Sequence, residues 1–242
     1  MTAAALRARD LWTELASAPV RFPSAARVRV ALSPRSRLCP PSWTGIVVLG
    51  DAGIATVPNE RDAELMAGAA RKLPPEELVD PDRLHRVLPV LDVLGPASLS
   101  YLDPADFRPR HEGTTVEVMP RGDWLSTLLA RTGEADAEES GLADITSPAC
   151  VLRDGDDVIA AAGFRAWPRS VAHLSVLVAP DRRGRGLART VASAAVAHAL
   201  DAGWLPQWRA RTRPSQRVAR ALEFRELGVQ LSIRLGDVAA EG

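Results

Sequence analysis

The N-terminal part of the chain alternates between helical and strand-like patterning. Leu6 to Ser17 reads as an opening helix, and RVRVAL, Arg27 to Leu32, alternates with the period of a strand. A proline-rich stretch through Pro40 and Pro41 leads into GIVVLGDAGIATVP, two β-rich runs around Asp51-Ala52-Gly53 that form a hairpin pattern. Asn59 is placed to cap a helix over Glu60 to Leu73, with Asp62 and Glu64 in the first turn, at the positive end of its dipole. A second helix is expected over Pro81 to Leu94, with Pro89 as its point of kinking.

Pro104, Pro109 and the polar run FRPRHEGTT mark the best boundary, near residue 110. Beyond it the pattern predicts a strand (TVEVMP), a helix (DWLSTLLART), an acidic helix or loop (EADAEESGLAD) and a strand (ACVLRD). Asp154-Gly155-Asp156 turns that strand back into DVIAAAGFRAW, and VAHLSVLVAP, Val171 to Pro180, follows as an unbroken β-rich segment. After a cluster of arginine and glycine comes an alanine-rich helix, LARTVASAAVAHALDAG, stopped at Gly203. QWRART then reads as a strand, PSQRVARALEF as a short helix and LGVQLSIRL as a closing strand. The order implies an α/β (α+β) chain with a smaller α/β domain over 1–110 and a second domain over 111–242.

Composition, 46% hydrophobic and 25% charged, is that of an ordinary globular protein with a core to bury. No apolar run reaches the roughly 18 residues of a membrane span, and MTAAALRARDLWTELAS lacks the succession of a secretory signal, so a cytoplasmic protein without a membrane partner is expected. Cys39 and Cys150 form no C-x-x-C pair and no metal-ligand spacing with histidine, so neither a disulfide scaffold nor a metal is expected. Thirty basic and 30 acidic side chains cancel, which argues against a nucleic-acid partner. The cancellation hides a split: residues 1–145 hold 16 basic against 21 acidic groups, net −5, and residues 146–242 hold 14 against 9, net +5. An anionic ligand is expected to meet the C-terminal part.

Chemistry concentrates in VLVAPDRRGRGLARTVASAA. A strand ends at Val178, a turn holds Gly184 and Gly186, and a long helix follows at once. Glycines there leave backbone N–H groups uncovered at a helix N-terminus, which favours an anion such as phosphate. A dinucleotide fingerprint would need a third glycine where Arg189 stands, and a P-loop would need a lysine that the stretch lacks.

The six residues Arg183-Gly184-Arg185-Gly186-Leu187-Ala188, between such a strand and such a helix, resemble the R/Q-x-x-G-x-G/A motif of the GNAT N-acetyltransferases. The resemblance implies a GNAT fold with a splayed, mixed central sheet over 111–242, and acetyl-coenzyme A as cosubstrate. It implies pyrophosphate contacts from Arg183, Gly184, Arg185, Gly186, Leu187 and Ala188, and pantetheine contacts from Val176, Leu177 and Val178. Arg189 is either a further phosphate contact or a solvated residue. Downstream, Thr212 and Ser215 fill positions that this family uses at the coenzyme, Thr212 as a substitution. Ala219 stands where many members carry a tyrosine that protonates the departing thiolate, and the chain's only tyrosine, Tyr101, is distant in sequence. The spellings G-L-A, G-x-x-P-x-W (Gly203 to Trp208) and S-x-x-x-A (Ser215 to Ala219) are similar to a bacterial GNAT branch.

An N-acetyltransferase acting on the primary amine of a small molecule or peptide needs a base to take the amine proton. His173, on the strand before the motif, is one candidate. Glu139, with Glu138 and Asp144, is the other, in the segment that lines the acceptor site of GNAT folds. His173, Ser175 and Leu177 share one strand face, with Ala172, Leu174 and Val176 on the other. Trp204 and Trp208 read as packing or as stacking platforms, and Arg209, Arg211 and Arg213 as phosphate contacts or solvated side chains. The acidic N-terminal half is open to a cationic acceptor or to a homodimer contact. The loss of the tyrosine leaves a second class open, a coenzyme-binding module without catalysis.

Overall fold

The structure, a computed structural model, describes residues 2–109 and 115–236. The boundary expected near residue 110 lies outside the described residues. Helix α1 (Ala3–Leu15) starts at Thr2, whose hydroxyl accepts from Ala5 N, and is followed by strand β1 (Val28–Leu32). Strands β2 (Thr44–Leu49) and β3 (Ala52–Val57) form the expected hairpin. Asn59 caps α2 (Glu60–Lys72) by accepting from Asp62 N at 2.8 Å.

The helix expected over Pro81 to Leu94 is corrected. Only α3 (Pro81–Leu84) forms, started by Asp80 and its carboxylate, and the chain then extends as strand β4 (Val90–Tyr101). Pro89 lacks the N–H an interior helical position needs, and Val90 and Val93 are β-branched and suit a pleated strand.

Next come a short strand β5 (Glu117–Met119), helices α4 (Asp123–Thr132) and α5 (Glu134–Ser140), and strands β6 (Ala149–Asp154), β7 (Asp157–Trp167) and β8 (Val171–Val178). Helix α6 (Leu187–Asp201) follows the glycine loop. Strand β9 (Leu205–Ala210) begins earlier than QWRART, and α7 (Arg213–Ala221) and β10 (Arg225–Leu235) close the described chain. No helix among the described residues is long and apolar enough to cross a membrane.

The chain divides into two compact units. One gathers Met1–Ser100 with Ala210–Thr212 and Glu226–Gly242, so the closing strand joins the N-terminal elements. Within it β1 pairs parallel with β3, β3 antiparallel with β2, and β2 antiparallel with β10, which neighbours β4. Ile46, Val48, Ala55, Val57, Met66, Leu84, Leu231 and Ile233 fill its core.

The other unit gathers Tyr101–Arg209 with Arg213–Arg225. Its strands run β5-β6-β7-β8-β9, antiparallel up to β8, after which β8 and β9 are parallel. Leu125 and Leu128 of α4, with Leu142 and Ile145, pack with Val151, Ala161 and Leu177 of the sheet. Helix α6 buries Val191, Ala192, Ser193, Ala195, Val196 and Ala199, mostly small side chains that let it sit close against β7 and β8.

In the first unit Gly228 faces Leu49 across the β10–β2 pair, where a methyl group would run into the Val48 carbonyl oxygen and come within 2.9 Å of Leu49 Cα. Gly228→Ala is therefore expected to lower stability by about 2 kcal/mol or more, read as a drop in the denaturant midpoint at unchanged slope. An unchanged midpoint would contradict this register.

Candidate functional site

Strand β8 hands the chain to α6 through a loop shaped by two left-handed glycines. A single 3-10 turn over Pro180–Arg182 leads to Arg183, then Gly184 at φ +77° and Gly186 at φ +81°. Gly186 is the N-cap of α6, and it brings no side chain to the first N–H groups; the first turn holds no carboxylate either. Those donors and the positive end of the helix dipole are thus left for an anion. A Cβ on Gly184 would meet nothing within 4 Å, so glycine is required there by the backbone angle and the space over the loop is open.

The neighbouring arginines are largely engaged by carboxylates. Arg182 pairs with Asp154 at 2.6 Å and Asp181 at 3.1 Å. Arg183 donates from Nε to the Val178 carbonyl at 3.2 Å and meets Asp136 of α5 at 2.7 Å. Arg185 is exposed and Arg189 half-buried in the first turn of α6. The motif arginine thus fixes the loop against the end of β8.

Strands β8 and β9 share only the rungs Val171–Leu205, Ala172–Pro206 and His173–Gln207, and then part. Ala179 N donates to Ile159 O at 2.9 Å, which fixes the direction of the backbone at the end of β8. By alternation, Leu177 turns its N–H and C=O toward β7, while Val176 and Val178 turn theirs away from it, into the splay. Leu177 contributes its side chain to the core, 5% exposed.

On the last shared rung the side chains join as well. His173 Nδ1 lies 3.0 Å from Gln207 Oε1, and Gln207 Nε2 donates to the Tyr101 hydroxyl at 3.0 Å. Tyr101, distant in sequence, is thereby corrected to a near neighbour: it ends β4, and Leu102 N donates to Pro206 O beside Gln207. The Trp167 ring stacks on the imidazole, centroids 4.2 Å apart and planes 16° apart. Burial pushes His173 down to about 3; the charges of Arg209 and Arg165 act in the same direction and the Gln207 bond opposes them. His173 is therefore a neutral imidazole at physiological pH.

The acidic candidates lie on the segment beside β8. Glu138 and Glu139 are exposed on α5, and Ser175, on the His173 face, donates to the carbonyl of Gly141 just beyond that helix at 3.1 Å. Asp144 meets Arg165, the residue opposite His173 on β7, at 3.7 Å. Ala172 is fully buried on the other face.

Ser215 accepts from the Trp208 indole N–H at 2.9 Å, and Trp208 packs edge-on against Phe224, so this pair anchors α7. Trp204 packs against Phe164. Thr212 falls with the first unit, and Ala219 is 3% exposed. Among the described residues no group of histidine, cysteine, aspartate or glutamate is placed to hold a metal.

Sequence patterning had not pointed to Tyr101, Gln207 or Trp167. A glutamine between Pro206 and Trp208, at a position of the strand flanked by apolar residues, was the available signal for Gln207. Tyr101 had none once its strand was read as the end of a helix.

Residues 149–228 match the family model of GNAT acetyltransferases. No curated protein matches the chain. Among solved structures the chain is similar to a GNAT-family protein from Novosphingobium aromaticivorans, with 20% identity and a TM-score of 0.48 over 60% of this chain and 65% of that one. A GCN5-related N-acetyltransferase from Kribbella flavida shows 17% identity and a TM-score of 0.49 over 66% of this chain and 64% of that one. A protein from Salmonella typhimurium solved with its cofactor acetyl-CoA shows 19% identity and a TM-score of 0.37 over 53% of this chain and 98% of that one. The chain spans just under two thirds of the first two, 65% and 64%. The match to the GNAT acetyltransferase model thus covers the segment that carries β6 to β9, the glycine loop and α6, about a third of the chain.

Proposed function

We propose that the protein is an acetyl-CoA-dependent N-acetyltransferase that moves an acetyl group to the primary amine of a small molecule or peptide. Its acetyltransferase domain lies within residues 111–242, less the closing strand that groups with the N-terminal elements, and 1–110 are largely accessory. The observation that carries this reading is the uncapped N-terminus of α6, one tight loop beyond the free edge of β8.

These residues fit the coenzyme. A pyrophosphate suits the N–H groups of the loop from Gly184 to Ala188, where neither a capping side chain nor an acidic first turn competes. An extended chain bearing amides suits the outward N–H and C=O groups of Val176, as an added strand suits a sheet edge, while the Val178 carbonyl already accepts from Arg183. Arg183 braces the loop and Ser215 braces α7, while Arg185 and Arg189 add positive charge. The coenzyme supplies an activated acetyl thioester.

His173 acts on the acceptor. A base held near 3 takes no proton from a free alkylammonium ion, so the acceptor enters as the neutral amine. As the C–N bond forms, the nitrogen becomes acidic and its proton passes to the imidazole, directly or through water. Val178 N–H is the donor for the charge that develops on the carbonyl oxygen. The departing sulfur draws its proton from solvent, because Ala219 has no proton to give. Should His173→Ala keep full activity, the base is Glu139, exposed on α5.

The alanine at 219 also favours a second reading, a coenzyme-binding module without catalysis. Free thiol released from acetyl-CoA by the wild type in the presence of an amine eliminates it.

Gly184→Leu projects a side chain into the open space over the loop. Calorimetry is expected to show acetyl-CoA binding weakened at least about tenfold, with the fold kept at a cost of about 1–2 kcal/mol for the left-handed backbone. Unchanged affinity in the folded variant would contradict the placement of the pyrophosphate. His173→Ala is expected to lower kcat by about 100-fold or more in a thiol-release assay. The wild-type rate should rise with pH as the acceptor amine deprotonates, with no inflection from His173 between roughly pH 5 and 8. A bell centred on an imidazole titrating near pH 6.5 would contradict the neutral histidine.

A further inference from the structure

The chain Tyr101–Gln207–His173 has a direction. Gln207 is fully buried and Tyr101 is 1% exposed, so neither the amide nor the hydroxyl exchanges its partner for bulk water. Gln207 turns Nε2 to the Tyr101 oxygen and Oε1 to the histidine ring. An amide oxygen can only accept, so the imidazole nitrogen facing it must carry the ring proton. A neutral imidazole has one such proton, and the other nitrogen, Nε2, is left with a lone pair.

From this geometry we propose that Tyr101 and Gln207 are positioning residues, which hold His173 as the Nδ1–H tautomer and leave Nε2 to meet the acceptor amine. The proposal rests on the reading of His173 as the base, and it goes beyond it by assigning which nitrogen works and what selects it. The Tyr101 hydroxyl accepts from the amide N–H, and the amide oxygen on the other side sets the ring proton. Trp167, stacked on the ring, holds its plane. The opposite amide orientation would place an N–H donor against Nδ1, move the proton to Nε2 and block that nitrogen as an acceptor.

Nitrogen-15 NMR of the imidazoles in the full chain tests this without reference to activity. The chain has 4 histidines, and the spectrum of His173→Gln identifies the signals of His173. In the wild type at neutral pH the proton is expected on Nδ1, with Nε2 bare. Tyr101→Phe removes the acceptor of the Gln207 N–H and leaves that donor buried without it; it should give mixed tautomers and lower kcat about tenfold or more, with KM for acetyl-CoA within about twofold. Gln207→Glu keeps an acceptor facing Nδ1 and should retain the Nδ1–H tautomer, while Gln207→Leu should lose it. A wild-type imidazole protonated at Nε2, or a Tyr101→Phe spectrum identical to wild type, would overturn the proposal. If His173→Ala kept full activity while wild type showed Nδ1–H, the base reading would fall and the tautomer assignment would stand. Should Gln207→Leu fail to fold, the wild-type and Tyr101→Phe spectra decide alone.

Discussion

Past His173 and Gln207, strands β8 and β9 stop sharing hydrogen bonds, and the candidate site is organised around that break. A strand edge inside a sheet carries polar groups that must find partners, so the parting of two parallel strands is costly unless something else completes the ladder. On one side of the break, Val176 and Val178 direct backbone groups into the gap, and the chain then enters the glycine loop. On the other, the last shared rung carries the histidine, with the amide and phenol behind it. The same backbone event therefore sets both the groups proposed for the coenzyme and the side chain proposed for the acceptor.

Electrostatics refine this arrangement. The arginine cluster suggests anion binding by side-chain charge, yet Arg182 and Arg183 are occupied by Asp154, Asp181, Asp136 and a backbone carbonyl. What stays available is backbone N–H at the start of α6, kept accessible by Gly184 and Gly186. Burial likewise decides the histidine, because a desolvated imidazole with arginines close by stays neutral.

Much of this was legible in the sequence where local pattern and tertiary context agree. The β6–β7 hairpin, β8, the glycine loop and α6 were all readable, since turn chemistry, β-branched runs and an alanine-rich helix point the same way. The strand ending at Tyr101 was not: VLPVLDVL has helical spacing in isolation, and only its place in the sheet, beside β10, makes it a strand. With that strand lost, the approach of Tyr101 to Gln207 was beyond reach, as was the return of β10 to the N-terminal elements. Cross-strand register, which puts Gln207 opposite His173, is a long-range property that no window of sequence contains.

The most direct test of the central claim is amide hydrogen exchange along β8 and the loop, with and without acetyl-CoA. The account predicts strong added protection at Val176, Val178 and the amides from Gly184 to Ala188, with little change at Leu177, already turned toward β7. Protection absent from these positions, or confined to other parts of the chain, would contradict it.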